Sequence, residues 1–251
     1  MTHVEEHLGA VAAARSHLQS KDGPPLGPLP AGFAATRRTL HAAAERLLKP
    51  KRELETGNEI ALRFCEGGFG TPTWHRDEPG AQPGHVRIEG IELVLDEGGR
   101  ETRVPLSEHA AAAQLLGVPE PEIPESALDE AAAGALADWF AFGTVVLADL
   151  IERNPDGDPA PIRLWPEHFD VATELGSESA GTRANYGASP GDEGHGEPYL
   201  YVGPWDQSVS GAAWNSTSFV GAELSHAQLL AAPDQLEAAV RFMQGRLDAL
   251  G

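Results

Sequence analysis

Apolar positions along this chain recur with two periods, and the switches between them outline the elements. Over 3–19, Val4, Leu8, Val11 and Leu18 are spaced for a helix of modest amphipathicity. The run Lys21-Asp-Gly-Pro-Pro-Leu-Gly-Pro-Leu-Pro-Ala-Gly32 is too rich in Pro and Gly for regular structure. Residues 1–30 are therefore expected to form an N-terminal helix-and-linker arm, followed by one domain over 31–251. Leu40, Ala44, Leu47 and Leu48 share one face of a helix starting near Ala34. That helix is expected to close at Lys49, because Pro50 disfavours helix at the residue before it.

Beyond that point the period becomes two. Ile60, Leu62 and Phe64 alternate with polar neighbours and predict a strand, which runs into a Gly-rich loop over 66–74. Val86 to Leu106 predicts a strand pair turning at Asp96-Glu-Gly-Gly99, and 107–116 a short helix stopped by Gly117. The most apolar helix is expected over 126–153, with Ser126 as N-cap, Asp129 in the first turn, and Leu136, Trp139, Phe140, Val146, Leu147 and Leu150 in the core. A strand is expected over 164–175, a long loop over 181–198, strands at 199–202 and 219–224, and a closing helix over 234–250. Strands do not alternate with single crossover helices. The expected fold is thus α+β: a mostly antiparallel sheet, a long central helix and flanking helices. The two halves share this grammar without a residue-level repeat.

Composition narrows the function classes. Lys plus Arg total 18 against 38 Asp plus Glu, a formal net charge of −20. Such a balance argues against a phosphate-backbone partner or an anionic membrane surface. Within the central helix, Trp139 to Ala148 is a charge-free run of only ten residues, about half of a bilayer span. The first residues, Met1-Thr-His-Val-Glu-Glu, lack the basic and apolar regions of a secretory signal, and Cys65 is the single cysteine. A cytoplasmic location without disulfides or a cysteine-based zinc site is expected.

Candidate chemistry concentrates in the second half. Strand parity over 164–175 puts His168, Asp170 and Glu174 on one face, and Trp165, Phe169, Val171 and Leu175 on the other. His195, Glu197, Tyr199 and Tyr201 share one parity in the next polar segment. An imidazole followed at i+2 by a carboxylate occurs in both. Two such strands side by side would assemble an acid–base pair or a divalent-metal site, with His168 and His195 as ligands or bases and Asp170 orienting an imidazole. Zn²⁺, Mn²⁺ or Fe²⁺ would suit these donors. Tyr199 and Tyr201, whose rings carry polar tips suited to pocket walls, Glu197 beside them, and Phe69 and Trp74 of the Gly-rich loop are the expected substrate contacts. The competing reading is a solvated sheet face, with exposed aromatics such as Trp205 and Trp214 anchoring a protein partner. Gly187-Ala-Ser-Pro-Gly191 has the spacing of a nucleophile elbow. Pro190, however, lacks the N–H that an oxyanion hole takes from that position.

The phrases Gly67-Gly-Phe-Gly-Thr-Pro-Thr-Trp74, Leu164-Trp-Pro-Glu-His-Phe-Asp170, Gly187-Ala-Ser-Pro-Gly-Asp192 and Glu197-Pro-Tyr-Leu-Tyr-Val-Gly-Pro-Trp205 resemble an uncharacterised family of actinobacterial proteins, from about residue 33 to the end. The resemblance implies a bacterial cytoplasmic protein folded as one unit, and no activity, ligand or catalytic residue. A small-molecule-binding protein or enzyme is the leading expectation, and a non-catalytic interaction module the alternative.

Overall fold

The computed structural model describes residues 3–57, 59–76, 79–123 and 128–251, with side chains described from residue 8 onward. Its centre is helix α5, Glu130–Arg153. Asp129 caps it, accepting the Ala132 N–H at 2.8 Å; Ser126 lies outside the described residues. An unbroken buried run from Trp139 to Ala148 shows that this stretch of α5 is covered on all sides. By length and apolarity it could cross a membrane, yet 78% of its most apolar window is buried inside the protein.

Two five-stranded antiparallel meanders lie over this helix. The first comprises β1 Arg63–Cys65, β2 Gly68–Gly70, β3 Gly84–Glu89, β4 Glu92–Glu97 and β5 Arg100–Pro105. The second comprises β6 Arg163–Trp165, β7 Asp170–Leu175, β8 Ala184–Ser189, β9 Tyr199–Pro204 and β10 Ala222–Ser225. They meet where Leu62 and Leu164 exchange backbone hydrogen bonds of 2.8 and 2.9 Å. From that bridge both meanders run outward in the same order. Helix α5 touches β1 and β2 on one side and β7 and β8 on the other. The α+β class with a long central helix is as expected from the sequence; the strands form two joined sheets.

Several boundaries differ from the sequence pattern for physical reasons. The expected strand pair over 86–106 is three strands, because a tight turn at Gly90 and Ile91 adds a hairpin. The expected loop at 66–74 contains β2, pinned between β1 and β3. A Cβ at Gly68 would stand 2.2 Å from the Ile88 carbonyl oxygen, and one at Gly70 2.5 Å from that of Val86. Glycine here serves close approach within a sheet, not turning.

The helix expected to stop at Lys49 continues. It runs as α2 Phe33–Ala43, a π turn Ala44–Leu48, and α3 Lys49–Thr56. In the π turn the Lys49 N–H reaches back to the Ala44 carbonyl, five residues earlier. That shift of the ladder accommodates Pro50, which has no N–H to give and would clash with an α-helical carbonyl. The first sheet is followed by α4, His109–Leu116, and the second by α6, His226–Leu230, and α7, Gln235–Asp248.

Helix α1, His3–Gln19, lies against α5. Ala14 is fully buried, with Leu18 and Leu26 also in the core. Arg15 pairs with Asp149 at 2.7 Å and Glu152 at 2.9 Å, His17 meets Asp138 at 2.9 Å, and Lys21 pairs with the same carboxylate. The segment expected to be a loose arm is thus docked on the central helix. Deleting residues 1–30 uncovers that face of α5, so the shortened chain is expected to melt well below the full chain or to be insoluble. Equal melting temperatures by circular dichroism would show that the docking contributes nothing.

Two glycines of α5 give a sharper test. A Cβ at Gly143 would stand 2.5 Å from the Ala188 Cβ on β8, whereas one at Gly134 meets nothing within 4 Å. Gly134→Ala is expected to stabilise by about 0.5–1 kcal/mol through helix propensity. Gly143→Ala is expected to destabilise by about 1–3 kcal/mol through overpacking. Urea denaturation of both variants checks the pair; shifts in the same direction would misplace the α5–β8 contact.

Candidate functional site

The inner face of the second sheet carries Leu164, Val171, Tyr186, Leu200 and Val202, all buried against the helices. Its outer face is built by register. Arg163 pairs with Ala172, Ala172 with Gly187, Gly187 with Tyr201, and Tyr201 with Glu223. Two residue pairs along, and so on the same face, Trp165 lies beside Asp170, and Ser189 beside Tyr199.

A single omitted side chain shapes this face. A Cβ at Gly187 would come within 2.4 Å of the Tyr201 ring. Its absence lets Tyr201 lie flat across β8 from β9, and the phenolic O–H donates to Oδ2 of Asp170 on β7.

The β6–β7 connection decides what else joins them. The sequence reading treats 164–175 as one strand, which would put Trp165 and Asp170 on opposite faces. Instead Pro166 to Phe169 form a turn, and Phe169 takes the left-handed conformation at φ 54°. That conformation is uncommon for a bulky residue. It is held by packing: the Phe169 ring stacks on His41 at 4.9 Å and meets Phe69 at 5.1 Å and Phe140 at 5.2 Å, both edge to face. The turn resets the alternation, so Trp165 and Asp170 emerge on the same outer face.

The result is an open cleft of about 1080 Å³, lined by His41, Trp165, His168, Asp170, Ser189, Tyr199, Tyr201 and Phe219 among others. Asp170 forms its floor and is only 5% exposed. Its Oδ1 is buried with no hydrogen-bond partner among the described residues. Burial raises the Asp170 carboxyl above the ordinary aspartate value despite the Tyr201 hydrogen bond, and burial followed by the Asp170 charge raises the Tyr201 phenol.

His195 lies behind one wall of this cleft. Its ring packs on Tyr199 at 4.3 Å, with Nδ1 3.3 Å from Asp192 and Nε2 3.4 Å from Glu223. The other oxygens here are occupied. Asp192 accepts the Tyr199 O–H at 2.9 Å and the backbone N–H groups of Gly194 and His195. Glu223 accepts from the Ser216 and Ser218 hydroxyls. Burial pushes the Asp192 carboxyl up, but the hydrogen bonds from Tyr199, His195 and Gly194 outweigh it and leave it lowered. Arg37 of α2 holds this loop from below, donating to the carbonyls of Pro190, Asp192 and His195. Gly191, at φ 95°, leaves room for the guanidinium.

The expected site residues therefore fall into three places. His168, Asp170, Tyr199 and Tyr201 line the cleft together. His195 serves its wall, and Glu197 is exposed in the preceding loop outside the lining. Phe69 and Trp74 are each 1% exposed, in the core under the first sheet, with no surface to offer a ligand. Among the described residues no three His, Cys, Asp or Glu side chains come together to hold a metal ion, so the expected sharing of one ion by His168 and His195 has no donor set behind it. His41 and Trp165 also line the cleft, and the sequence pattern predicts neither there. A helix 127 positions earlier gave no signal for His41, and the assumed parity put Trp165 on the wrong face. Ser189, from the rejected elbow, lines the cleft and accepts the Gly191 N–H at 3.2 Å. Compared with protein-family models, curated proteins and solved structures, the chain matches none.

An ionised Asp170 costs the folded state, because its folded carboxyl titrates above its unfolded value. The stability this group contributes is present at low pH and lost as pH rises through the raised folded value. Asp170→Asn removes that cost. It is expected to melt at or above wild type at pH 7, with the margin narrowing as pH falls toward the unfolded aspartate value near 4. Thermal melts from pH 4 to 8 check this; a variant less stable than wild type throughout would make the Asp170 charge structural.

Proposed function

We propose that the protein binds a small organic molecule in the cleft on the outer face of its second sheet. The observation that carries this reading is the Asp170 carboxylate in the cleft lining: buried, with Oδ2 taken by Tyr201 and Oδ1 unpartnered among the described residues. A buried acceptor without a partner costs about 1–3 kcal/mol. Such groups persist where a ligand completes them. The half-buried rings of Trp165, Tyr199, Tyr201 and Phe219 supply apolar walls around a few polar groups, as in binding pockets generally. This is a reading of recognition; the scattered imidazoles lend nothing to metal-assisted chemistry. The resemblance to an actinobacterial family contributes no ligand.

A second reading, a non-catalytic module docking on a protein through aromatic loops, is favoured by one observation. Trp205 is 45% exposed at the end of β9, held under the Arg183 guanidinium at 5.5 Å, and Val220 is exposed on the neighbouring loop. Trp214, by contrast, is partly buried against the core and offers less.

A fragment screen by saturation-transfer NMR separates the two. Under the cleft reading, fragments bind wild type, and Gly187→Val, which drives the Tyr201 ring off Asp170, weakens them about tenfold or more. Trp205→Ala leaves them unchanged. Hits lost in Trp205→Ala and kept in Gly187→Val would move recognition to the aromatic loops.

A further inference from the structure

Resting on the cleft reading above, we propose that the ligand is an organic cation: an ammonium, amidinium or guanidinium group carried on an apolar body, with the cationic head at Asp170.

The charge balance of the cleft points this way. Glu167, Asp170, Glu174 and Asp192 line it, against Arg163 and the imidazoles of His41 and His168. Three of the carboxylates are compensated from within the protein. Glu167 is paired with Lys49 at 2.6 Å and Glu174 with Arg183 at 3.0 Å. Asp192 accepts the backbone and tyrosine donors already described. Asp170 has no Lys or Arg partner: the neutral Tyr201 hydroxyl donates to one oxygen, and only its own backbone N–H and the imidazoles of His168 and His41 add to it. A phenol donor orients a carboxylate without cancelling its charge, and burial makes an uncancelled charge costly. A cationic N–H donor both fills Oδ1 and neutralises the site, which a neutral donor does not.

The walls fit the same head group. Tyr201 meets Tyr199 at 6.3 Å and Phe219 at 6.3 Å, the latter nearly perpendicular at 87°, so rings of different inclination line the same cleft as the carboxylate. Aromatic faces attract cations through their quadrupoles, and a carboxylate set among them is the arrangement by which ammonium groups are held. The wall already binds one cation in this way: the Arg163 guanidinium sits over Trp165 at 5.7 Å. A net charge of −20 concentrates cations near the surface and disfavours anionic ligands.

The test uses the full chain and isothermal calorimetry with benzamidinium, phenethylammonium and benzyltrimethylammonium, against the neutral benzamide and 2-phenylethanol and the anion benzoate. The expected result is binding of benzamidinium or phenethylammonium at least tenfold tighter than the matched neutral compound, with benzoate silent. Asp170→Asn is expected to abolish that preference while its circular dichroism and melting stay native-like. Should this variant not fold, Trp165→Ala, on a half-exposed strand, carries the test and is expected to weaken the cations several-fold. Neutral and cationic probes binding equally, with both lost in Asp170→Asn, would overturn the cation while leaving the cleft reading standing. Cation binding unchanged in Asp170→Asn would overturn the assignment as mere attraction to an acidic protein. No probe of any charge binding would remove the cleft reading as well.

Discussion

The burial of α5 between the two meanders is the constraint from which the rest follows. A helix whose Trp139–Ala148 stretch is uncharged and buried all round has no stable place at a surface, so both sheets, α1, α2 and α7 close around it. The close approach at Gly143 and Ala188 brings β8 down onto the helix. With the inner face of the second sheet committed to that contact, its outer face is the one left to carry chemistry.

The two halves share a topology and differ in what they do with that outer face. Counting outward from the Leu62–Leu164 bridge, the same rung reads Arg63, Gly70, Arg87, Val94 and Arg103 in the first sheet, and Arg163, Ala172, Gly187, Tyr201 and Glu223 in the second. Arg87 thus stands where the second sheet has Gly187. In the first sheet Arg87 pairs with Glu89 and Glu101, and Arg103 with Glu89, Glu92 and Glu101, so the face is covered by its own ion pairs. In the second, glycine opens a trough, Tyr201 lies in it, and the carboxylate it reaches is left half satisfied. One sheet is closed by internal compensation and its counterpart is left open for a ligand.

Much of the frame was legible in the sequence, because α5, the closing helix and the outer strands follow simple periods. Strands β2 and β8 were not. Gly68, Gly70 and Gly187 read as loop residues, whereas they are present because carbonyls or a tyrosine ring pass too close for a Cβ. The site was half legible. His168, Asp170, Tyr199 and Tyr201 do share a cleft, since period-two alternation holds along β9 and from Asp170 onward. Trp165 was misplaced because the turn before Asp170 resets the phase, and nothing local announces that Phe169 adopts a left-handed conformation. Phe69 and Trp74 look like loop aromatics in the sequence, whereas Phe69 lies in β2 and Trp74 bridges to Gly84 of β3, which puts both rings in the core. His41 reaches the cleft only through tertiary packing on Phe169, which no local pattern encodes.

The central claim is that the free oxygen of Asp170 awaits a ligand. A crystal structure of the protein grown with benzamidine tests it most directly. The account places a nitrogen of the amidinium within hydrogen-bond distance of Asp170 Oδ1, with its ring among Trp165, Tyr201 and Phe219. A structure in which a side chain or backbone group of the protein itself occupies Oδ1, with the benzamidine absent or elsewhere, would contradict it.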